Sequence, residues 1–240
     1  MDIKLSPKSI ALFFLGIVLF LLIAHLSIHA VRFITDVSFL SGPVQLFNLG
    51  SDTNVPTFYS SVAILVCASL LTLVGIAGRE DRRIHASYWF GLALIFVFLA
   101  VDEIAMVHER ATVPLQDALN TSGAFHFAWV IPYGLAVLVV LAVYVRFLLR
   151  LPVRTATLFV IAGGTFVTGA LAFEMLSGWH LDGDPSNYDA IYVALQTIEE
   201  TFEMVGIVVF IYALTDYVDR QLGGLRLSIA AASGAEPPAE

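Results

Sequence analysis

Long apolar runs recur along this chain, and several of them are close to twenty residues in length. A helix of about 20 predominantly apolar residues is long enough to cross a bilayer. The composition agrees with this architecture, because 58% of the residues are hydrophobic, only 13% are charged and the mean hydropathy is +0.85. The hydropathy pattern predicts about six spans, at residues 10–33, 56–77, 88–108, 127–148, 156–177 and 190–214.

We therefore expect an all-α, polytopic membrane protein, with a single six-helix domain over residues 1–220 and a polar, flexible C-terminal tail over 221–240. The first span follows Lys4 and Lys8, as the apolar region of a signal peptide would. Its apolar stretch is long, however, and no good small-x-small cleavage site follows it. We expect this span to be retained as a helix of the bundle.

Two classes of site are excluded by composition. Cys67 is the single cysteine, so the chain has neither an intramolecular disulfide nor a CxxC metal site. The formal net charge is −8 and no basic tract occurs, which argues against a nucleic-acid partner. The lipid bilayer is the expected partner.

Loop charge predicts the orientation of the spans. The segments GREDRRIH and YVRFLLRLPVR are rich in arginine, whereas the alternate segments SFLSGPVQLFNLGSDTNVPT, ATVPLQDALNTSGAF and GWHLDGDPSNYDA contain no lysine or arginine. Because cytoplasmic loops carry the excess of Lys and Arg, both termini are predicted to be cytoplasmic. Trp129 and Trp179 then fall at the outer interface and Trp89 at the inner one, where an aromatic belt is expected.

The stretch VDEIAMVHER continues an apolar run without a break, although ionised groups in a membrane span are costly. Odd-numbered spans run outward, which places this stretch, Glu174 and the pair His25 and His29 in the outer half of the bilayer. The sixth span runs inward and brings EETFE to a similar depth. Six carboxylates therefore converge on one level: Asp102, Glu103, Glu174, Glu199, Glu200 and Glu203.

The negative charge of these carboxylates must be compensated inside the bilayer. At roughly 2.5–3.5 kcal/mol each, six ionised and unpaired acidic residues would cost about 15 kcal/mol or more. The only basic residues near that level are Arg32 and Arg110, both close to the outer interface, and no lysine follows Lys8. Protons, bound metal ions, histidines or water must supply the compensation.

Helical spacing limits which groups can cooperate. Glu199, Glu200 and Glu203 form one stripe, because i, i+3 and i, i+4 positions share a helix face. Glu103 and His108 are five residues apart, about 140° around an ideal helix, so they can share an ion only if the helix end is distorted or if they bracket a larger site. His25 and His29 have a chelating i, i+4 spacing, although such pairs are more often simply hydrogen-bonded.

Each motif also has a purely structural interpretation. The DEIAMVHE cluster is compatible with a helix end that surfaces, and Glu174 with a residue that caps a loop. The EETFEM stripe is compatible with a wet cavity, or with protonated carboxyl groups that are hydrogen-bonded between helices.

The motifs VDEIAMVHE, LAFEML and EETFEM, with NVPTFYSS before an apolar helix, together resemble a widespread family of uncharacterised bacterial multi-pass membrane proteins. The resemblance covers about residues 45–215. It implies a bacterial inner-membrane protein but no assigned activity. The residues whose importance it implies are Asp102, Glu103, His108, Glu109, Glu174, Glu200 and Glu203.

Other families fit less well. Intramembrane zinc hydrolases of the ceramidase type need a late HxxxH, which this chain has only in its first span. A microbial rhodopsin needs an intramembrane lysine. A haem held by His25 or His29 together with His108 leaves the carboxylates unexplained.

Two hypotheses remain. In the first, a divalent metal (iron, manganese or zinc), mononuclear or dinuclear, supports oxidation or hydrolysis of a lipid or other apolar substrate entering from the outer leaflet. Its predicted ligands are Glu103, His108, Glu174, Glu200 and Glu203, with Asp102, Glu109, His25, His29 and Glu199 as orienting or reserve groups.

In the second, the cluster is a proton or cation site in a translocating protein, or a buried polar site in an accessory subunit of a larger membrane complex. A homo-oligomer is equally compatible with the sequence.

Small residues in the fifth span, including Gly163, Gly164 and Gly169, predict that this span is central to the bundle.

Overall fold

The computed structural model describes residues 2–4, 6–35, 42–78, 86–182, 188–224 and 226–228. Eight α-helices occur in these ranges, and a π-helical segment at Thr168–Phe173 joins α6 to α7 without a break. Short 3₁₀ turns occur at Gly42–Phe47 and Gly123–Phe125. The α-helices are α1 (Pro7–Thr35), α2 (Val55–Ala77), α3 (Ala86–Ala105), α4 (Val107–Leu119), α5 (Val130–Leu148), α6 (Val153–Val167), α7 (Glu174–Leu181) and α8 (Ala190–Gln221).

The predicted all-α membrane architecture is confirmed. Among the described residues, six helical segments are long and apolar enough to span a membrane. They are Pro7–Val31, Val55–Ala77, Ala86–Ala105, Val130–Leu148, Val153–Leu181 and Ala190–Gln221.

The interior of the bundle is formed by α2 and α8. In the most apolar 18-residue stretch of each span, 56% of the residues are buried in α2 and 61% in α8, against 11–22% in the other spans. The prediction that the fifth span is central is therefore wrong. A Cβ atom on Gly163 or Gly164 would have no heavy atom within 4 Å, so these glycines do not mark a helix contact. Gly206 of α8 does, because a Cβ there would lie 2.8 Å from the backbone nitrogen of Phe166.

Two polar caps begin helices at the same end of the bundle. Asn54 caps α2 by accepting a hydrogen bond from the Thr57 amide at 3.1 Å. Asp189 caps α8 by accepting from the Ile191 and Tyr192 amides at 2.9 and 3.0 Å. Side-chain oxygens at this position satisfy amide groups that have no partner inside the helix. We call this the cavity end, because the cavity described below lies among these helix ends.

The opposite end is packed with aromatic rings, and we call it the aromatic end. The ring of Trp89 lies 5.0 Å from Phe147, 6.2 Å from Phe159 and 5.1 Å from Tyr217, centroid to centroid. Trp89 is only 1% exposed. Its assignment to an interfacial belt is therefore wrong, because it fills the space between four spans.

Both ends of the described chain meet at the aromatic end. Strand β1 (Asp2–Lys4) pairs antiparallel with β2 (Arg226–Ser228), with Lys4 opposite Arg226. An even number of spans requires the termini to share one side. The membrane face to which that side belongs stays a prediction.

Several predicted features lie outside the described residues. They are the tail after Ser228, most of the GREDRRIH loop, the acidic loop residues 183–187 and the side chain of Arg32.

Candidate functional site

A cavity of about 640 Å³ opens among the helix ends at the cavity end. All ten residues singled out from the sequence line it, together with Asp52, and no described lining residue is a lysine or arginine. Its ionisable lining consists of eight carboxyl groups and three imidazoles: Asp52, Asp102, Glu103, Glu109, Glu174, Glu199, Glu200, Glu203, His25, His29 and His108.

A break between α3 and α4 positions the first group of these residues. The third span was predicted to continue to residue 108, but α3 ends at Ala105. Met106 adopts a left-handed conformation (φ 53°, ψ 44°) before α4 begins. Such a conformation is uncommon for a residue other than glycine and costs about 1–3 kcal/mol. The distortion that Glu103 and His108 require in order to face one site is therefore present.

Asp102 holds the two sides of this break together. Its Oδ1 accepts from the backbone amide of His108 at 2.9 Å and lies 3.1 Å from the His108 Nδ1. Tyr133 of α5 donates its hydroxyl to Oδ2 at 2.8 Å. Asp102 is thus fully engaged in hydrogen bonds, and it makes the contact through which a carboxylate orients an imidazole.

His108 is a cationic group of this cavity. Burial alone would lower its pKa, but the hydrogen bond and charge of Asp102, with smaller contributions from Glu109 and Glu203, raise the pKa of His108 to about 9. At neutral pH the ring is therefore charged. Its face lies 4.7 Å from the ring of Trp129, centroid to centroid.

The π-helical segment delivers Glu174. Single π turns inside helices are frequent at functional sites, because the additional residue redirects the side chains that follow. Glu174 is the first residue after this segment and is buried. Its Oε1 accepts a hydrogen bond from the Trp129 indole N–H at 2.9 Å. Trp129 was assigned to the outer aromatic belt, but it is only 5% exposed and belongs to the cavity wall.

The carboxyl groups of Glu174 and Glu199 lie within hydrogen-bonding reach of each other. Two ionised carboxylates can only accept hydrogen bonds, so a hydrogen bond between them requires a proton. The other oxygen of Glu199, Oε2, is buried and has no described hydrogen-bond partner. Gly169 permits this arrangement, because a Cβ there would lie 2.8 Å from the Glu199 carbonyl oxygen.

A second group of carboxyls lies beside this pair. Glu203 is within electrostatic range of Glu103 and His108, and Glu200 is within range of Glu203, Glu103 and Asp52. Helices α3 and α8 and the loop before α2 thus direct acidic groups toward one region. Within the described part of the chain, no hydrogen bond links the carboxyl group of Glu103, Glu200 or Glu203 to another residue.

Two acidic residues outside the spans complete the lining. Burial raises the pKa of Asp52, and His108 opposes this shift. Burial and the charge of Asp52 raise the pKa of Glu109, again against His108. Asp52 was not identified from the sequence because it lies in a polar loop, where an aspartate carries no signal of its own.

The two histidines of α1 contribute to the cavity in different ways. His25 accepts from the Leu49 amide at its Nδ1 (3.0 Å) and contacts Thr197 Oγ1 through Nε2 at 2.9 Å, so both ring nitrogens are engaged. His29 contacts Asn48 Oδ1 through Nε2 at 3.2 Å, and its Nδ1 is buried without a described partner. His25 has a structural contact, whereas His29 has a free nitrogen.

No three His, Cys, Asp or Glu side chains within the described ranges are placed to hold one metal ion. The five predicted ligands line the same cavity but are not gathered around a single point. A metal would require their side chains to move. The ligand assignments therefore stay predictions.

Comparison with known proteins identifies a family but no activity. A family model described as "Domain of unknown function (DUF8692)" matches residues 11–218 of the chain. No curated protein and no solved structure matches it.

Proposed function

The chain belongs to the DUF8692 family, and we propose that it is an integral membrane protein whose cavity binds cations in exchange for protons held on its carboxyl groups. The observation that carries this proposal is the close approach of the Glu174 and Glu199 carboxyls, which both line the cavity. A proton held between two acidic groups is released when a cation takes its place. The cavity then carries nearly the same charge before and after binding.

The energetics favour such an exchange. Ionised acidic residues in a bilayer core cost roughly 2.5–3.5 kcal/mol each on insertion scales. Eight carboxyl groups line the cavity, and His108 is the one cationic side chain described there. Bound protons remove most of this cost in the empty cavity, and a cation removes it in the occupied one.

The proposed location follows from loop charge. The arginine-rich segment that joins α5 to α6, with Arg150 and Arg154, lies at the aromatic end beside Phe147, so the positive-inside rule assigns that end to the cytoplasm. The cavity then faces the periplasmic side of a bacterial inner membrane. The tightly packed rings around Trp89 close the bundle on the other side, which suits a binding site open to one side at a time.

Infrared spectroscopy tests the proton-holding site. Purified protein should show absorption from protonated carboxyl groups at neutral pH, and this absorption should fall in Glu199→Gln, which removes one acid of the pair. Asp117→Asn is the matched control, because Asp117 is exposed on α4 and does not line the cavity. A wild-type spectrum without protonated carboxyl absorption at neutral pH would contradict the proposal.

A divalent metal ion is a second candidate for the bound cation, and the Asp102–His108 contact favours it. A histidine that binds a metal usually donates its other ring N–H to a carboxylate, as the His108 Nδ1 is placed to do here. Iron, manganese or zinc held by His108 with Glu103, Glu200 and Glu203 would suit oxidation or hydrolysis of an apolar substrate from the bilayer.

Elemental analysis of protein purified without chelator tests the metal candidate. Stoichiometric iron, manganese or zinc is expected if it is correct, with loss of metal in His108→Ala and Glu200→Gln. Glu199→Gln should lose less metal, because its carboxyl group already bonds to Glu174. Metal-free protein that retains its protonated carboxyl groups would reject this candidate and leave the proton-exchange proposal in place.

A further inference from the structure

The size of the cavity indicates what kind of cation it accommodates. A bare metal ion needs oxygen or nitrogen ligands at about 2.0–2.6 Å and little further space. The cavity measures about 640 Å³, which falls in the range of small-molecule sites, roughly 300–1,000 Å³. It has room for an organic molecule.

The unused polar atoms of the lining are hydrogen-bond acceptors. Asn48 donates its Nδ2 to Ser51, so its Oδ1 faces the His29 Nε2, which carries the proton of that contact. In the neutral ring, His29 Nδ1 is then an acceptor, and it has no described partner although His29 is only 7% exposed and lines the cavity. The buried Oε2 of Glu199 is a second unused acceptor. A ligand that satisfies both must donate hydrogen bonds.

Aromatic and apolar side chains line the cavity together with these acceptors. The rings of Trp129 and Tyr133 lie 5.1 Å apart, and those of Tyr188 and Tyr192 lie 4.8 Å apart. All four residues line the cavity, as do Ile64, Leu99, Phe166 and Ala170. Aromatic faces attract ammonium groups, and an aliphatic wall suits methylene groups.

The geometry points to an aliphatic diamine or polyamine as the ligand: a methylene chain with protonated amines at intervals. One amine donates to the unpartnered Oε2 of Glu199, beside the Glu174 carboxyl. Another faces the group formed by Glu103, Glu200 and Glu203. This inference rests on the proposed cation exchange and names the class of cation.

Isothermal titration calorimetry of the protein in detergent tests it, with 1,4-diaminobutane as the probe and 1,4-butanediol as the neutral control of the same length. The diamine should bind and the diol should not. Repeating the titration in buffers of different ionisation enthalpy should show proton release on binding. Glu199→Gln and Glu203→Gln should each weaken binding of the diamine by at least about tenfold, which corresponds to roughly 1.4 kcal/mol. Asp117→Asn should bind as the wild type does.

The outcomes separate this inference from the proposed function. Equal binding of diamine and diol would overturn the inference, because charge would then be irrelevant. Binding of a divalent metal chloride with proton release, but no binding of the diamine, would overturn the inference and support cation exchange. Absence of proton release with every cation would overturn both.

Discussion

At the aromatic end, the buried carboxylate of Asp216 contacts two arginines: Arg154 Nε lies 2.9 Å from Oδ2, and Arg220 Nε lies 2.9 and 3.0 Å from its two oxygens. At the cavity end, eight carboxyl groups line one space, and no described residue of that lining is a lysine or arginine. The same long helix, α8, supplies Asp216 to the first arrangement and Glu199, Glu200 and Glu203 to the second.

This difference shows that the fold is able to pair a buried carboxylate with guanidinium groups. The absence of such pairs around the described cavity lining therefore leaves its acidic groups available to cations that come and go. A resident arginine would neutralise them permanently and would occupy the space. Asp216 is held by ion pairs within the fold, whereas the cavity carboxyls have no lysine or arginine partner in the described lining, as the proposed cation binding requires.

The largest effect is expected at the aromatic end, if that end holds the bundle together. Trp89→Ala removes a ring that contacts Phe147, Phe159 and Tyr217 and should destabilise the protein by about 3–5 kcal/mol. Trp129→Phe at the cavity end keeps a ring and loses one hydrogen bond to Glu174, so it should cost no more than about 3 kcal/mol. Equilibrium unfolding in mixed micelles measures both, and equal losses would remove the distinction between the ends.

A smaller effect is expected where α8 meets the π-helical segment. In Gly169→Ala, the new Cβ would lie 2.8 Å from the Glu199 carbonyl oxygen and 2.9 Å from Glu203 Cγ, so overpacking should cost about 1–3 kcal/mol. Gly163→Ala is the matched control, because nothing lies within 4 Å of its Cβ. The control should be neutral or slightly more stable. A Gly169 variant as stable as this control would show that the close approach is dispensable.

Neutralising one carboxylate at each end of the bundle should change the stability of the protein in opposite directions. Asp216→Asn weakens ion pairs whose arginines are half exposed and should destabilise the protein by roughly 1 kcal/mol. Glu203→Gln removes an acidic group from a cavity with excess acid and should leave stability unchanged or raise it, while cation binding is weakened. Thermal denaturation at neutral pH compares the two, and destabilisation by both would contradict the comparison.

The most gradual effect is a dependence on pH. The folded-state pKa of His108, about 9, lies above the ordinary value of 6.5, so its charge stabilises the folded protein. That stabilisation is fully present below about pH 6.5 and is lost as the pH rises through about 9. His108→Gln should flatten the pH dependence of stability in this window. An unchanged pH dependence would show that the His108 charge does not contribute.

Much of the fold was accessible from the sequence, because apolar runs and loop charge depend only on local composition. The predicted depths in the bilayer also placed ten residues that are distant in sequence at the level of one cavity, since the spans are antiparallel and of similar length. The break at Met106 was not accessible, because methionine carries no signal for a left-handed backbone. Trp129 was misassigned because a tryptophan at a span end has the same pattern whether it faces lipid or a neighbouring helix.

The separate behaviour of the α1 histidines was inaccessible for another reason. Their i, i+4 spacing is compatible with chelation, but His25 is engaged by Leu49 and Thr197, which come from distant parts of the chain. Only tertiary structure shows which of the two nitrogen-rich side chains keeps a free lone pair. The same holds for Asp52, which a loop carries into the cavity.

The π-helical segment at Thr168–Phe173 has one more consequence. A π turn holds one residue more than an α turn, so the fifth span behaves as a helix that has absorbed a single-residue insertion. If the same residues formed an uninterrupted α-helix, everything that follows would instead be rotated by about 100°. Glu174 would then leave the neighbourhood of Trp129 and Glu199 although no atom of the three side chains had been changed. The place of Glu174 in the cavity therefore depends on where the helix holds its one additional residue, as well as on which residues the span contains.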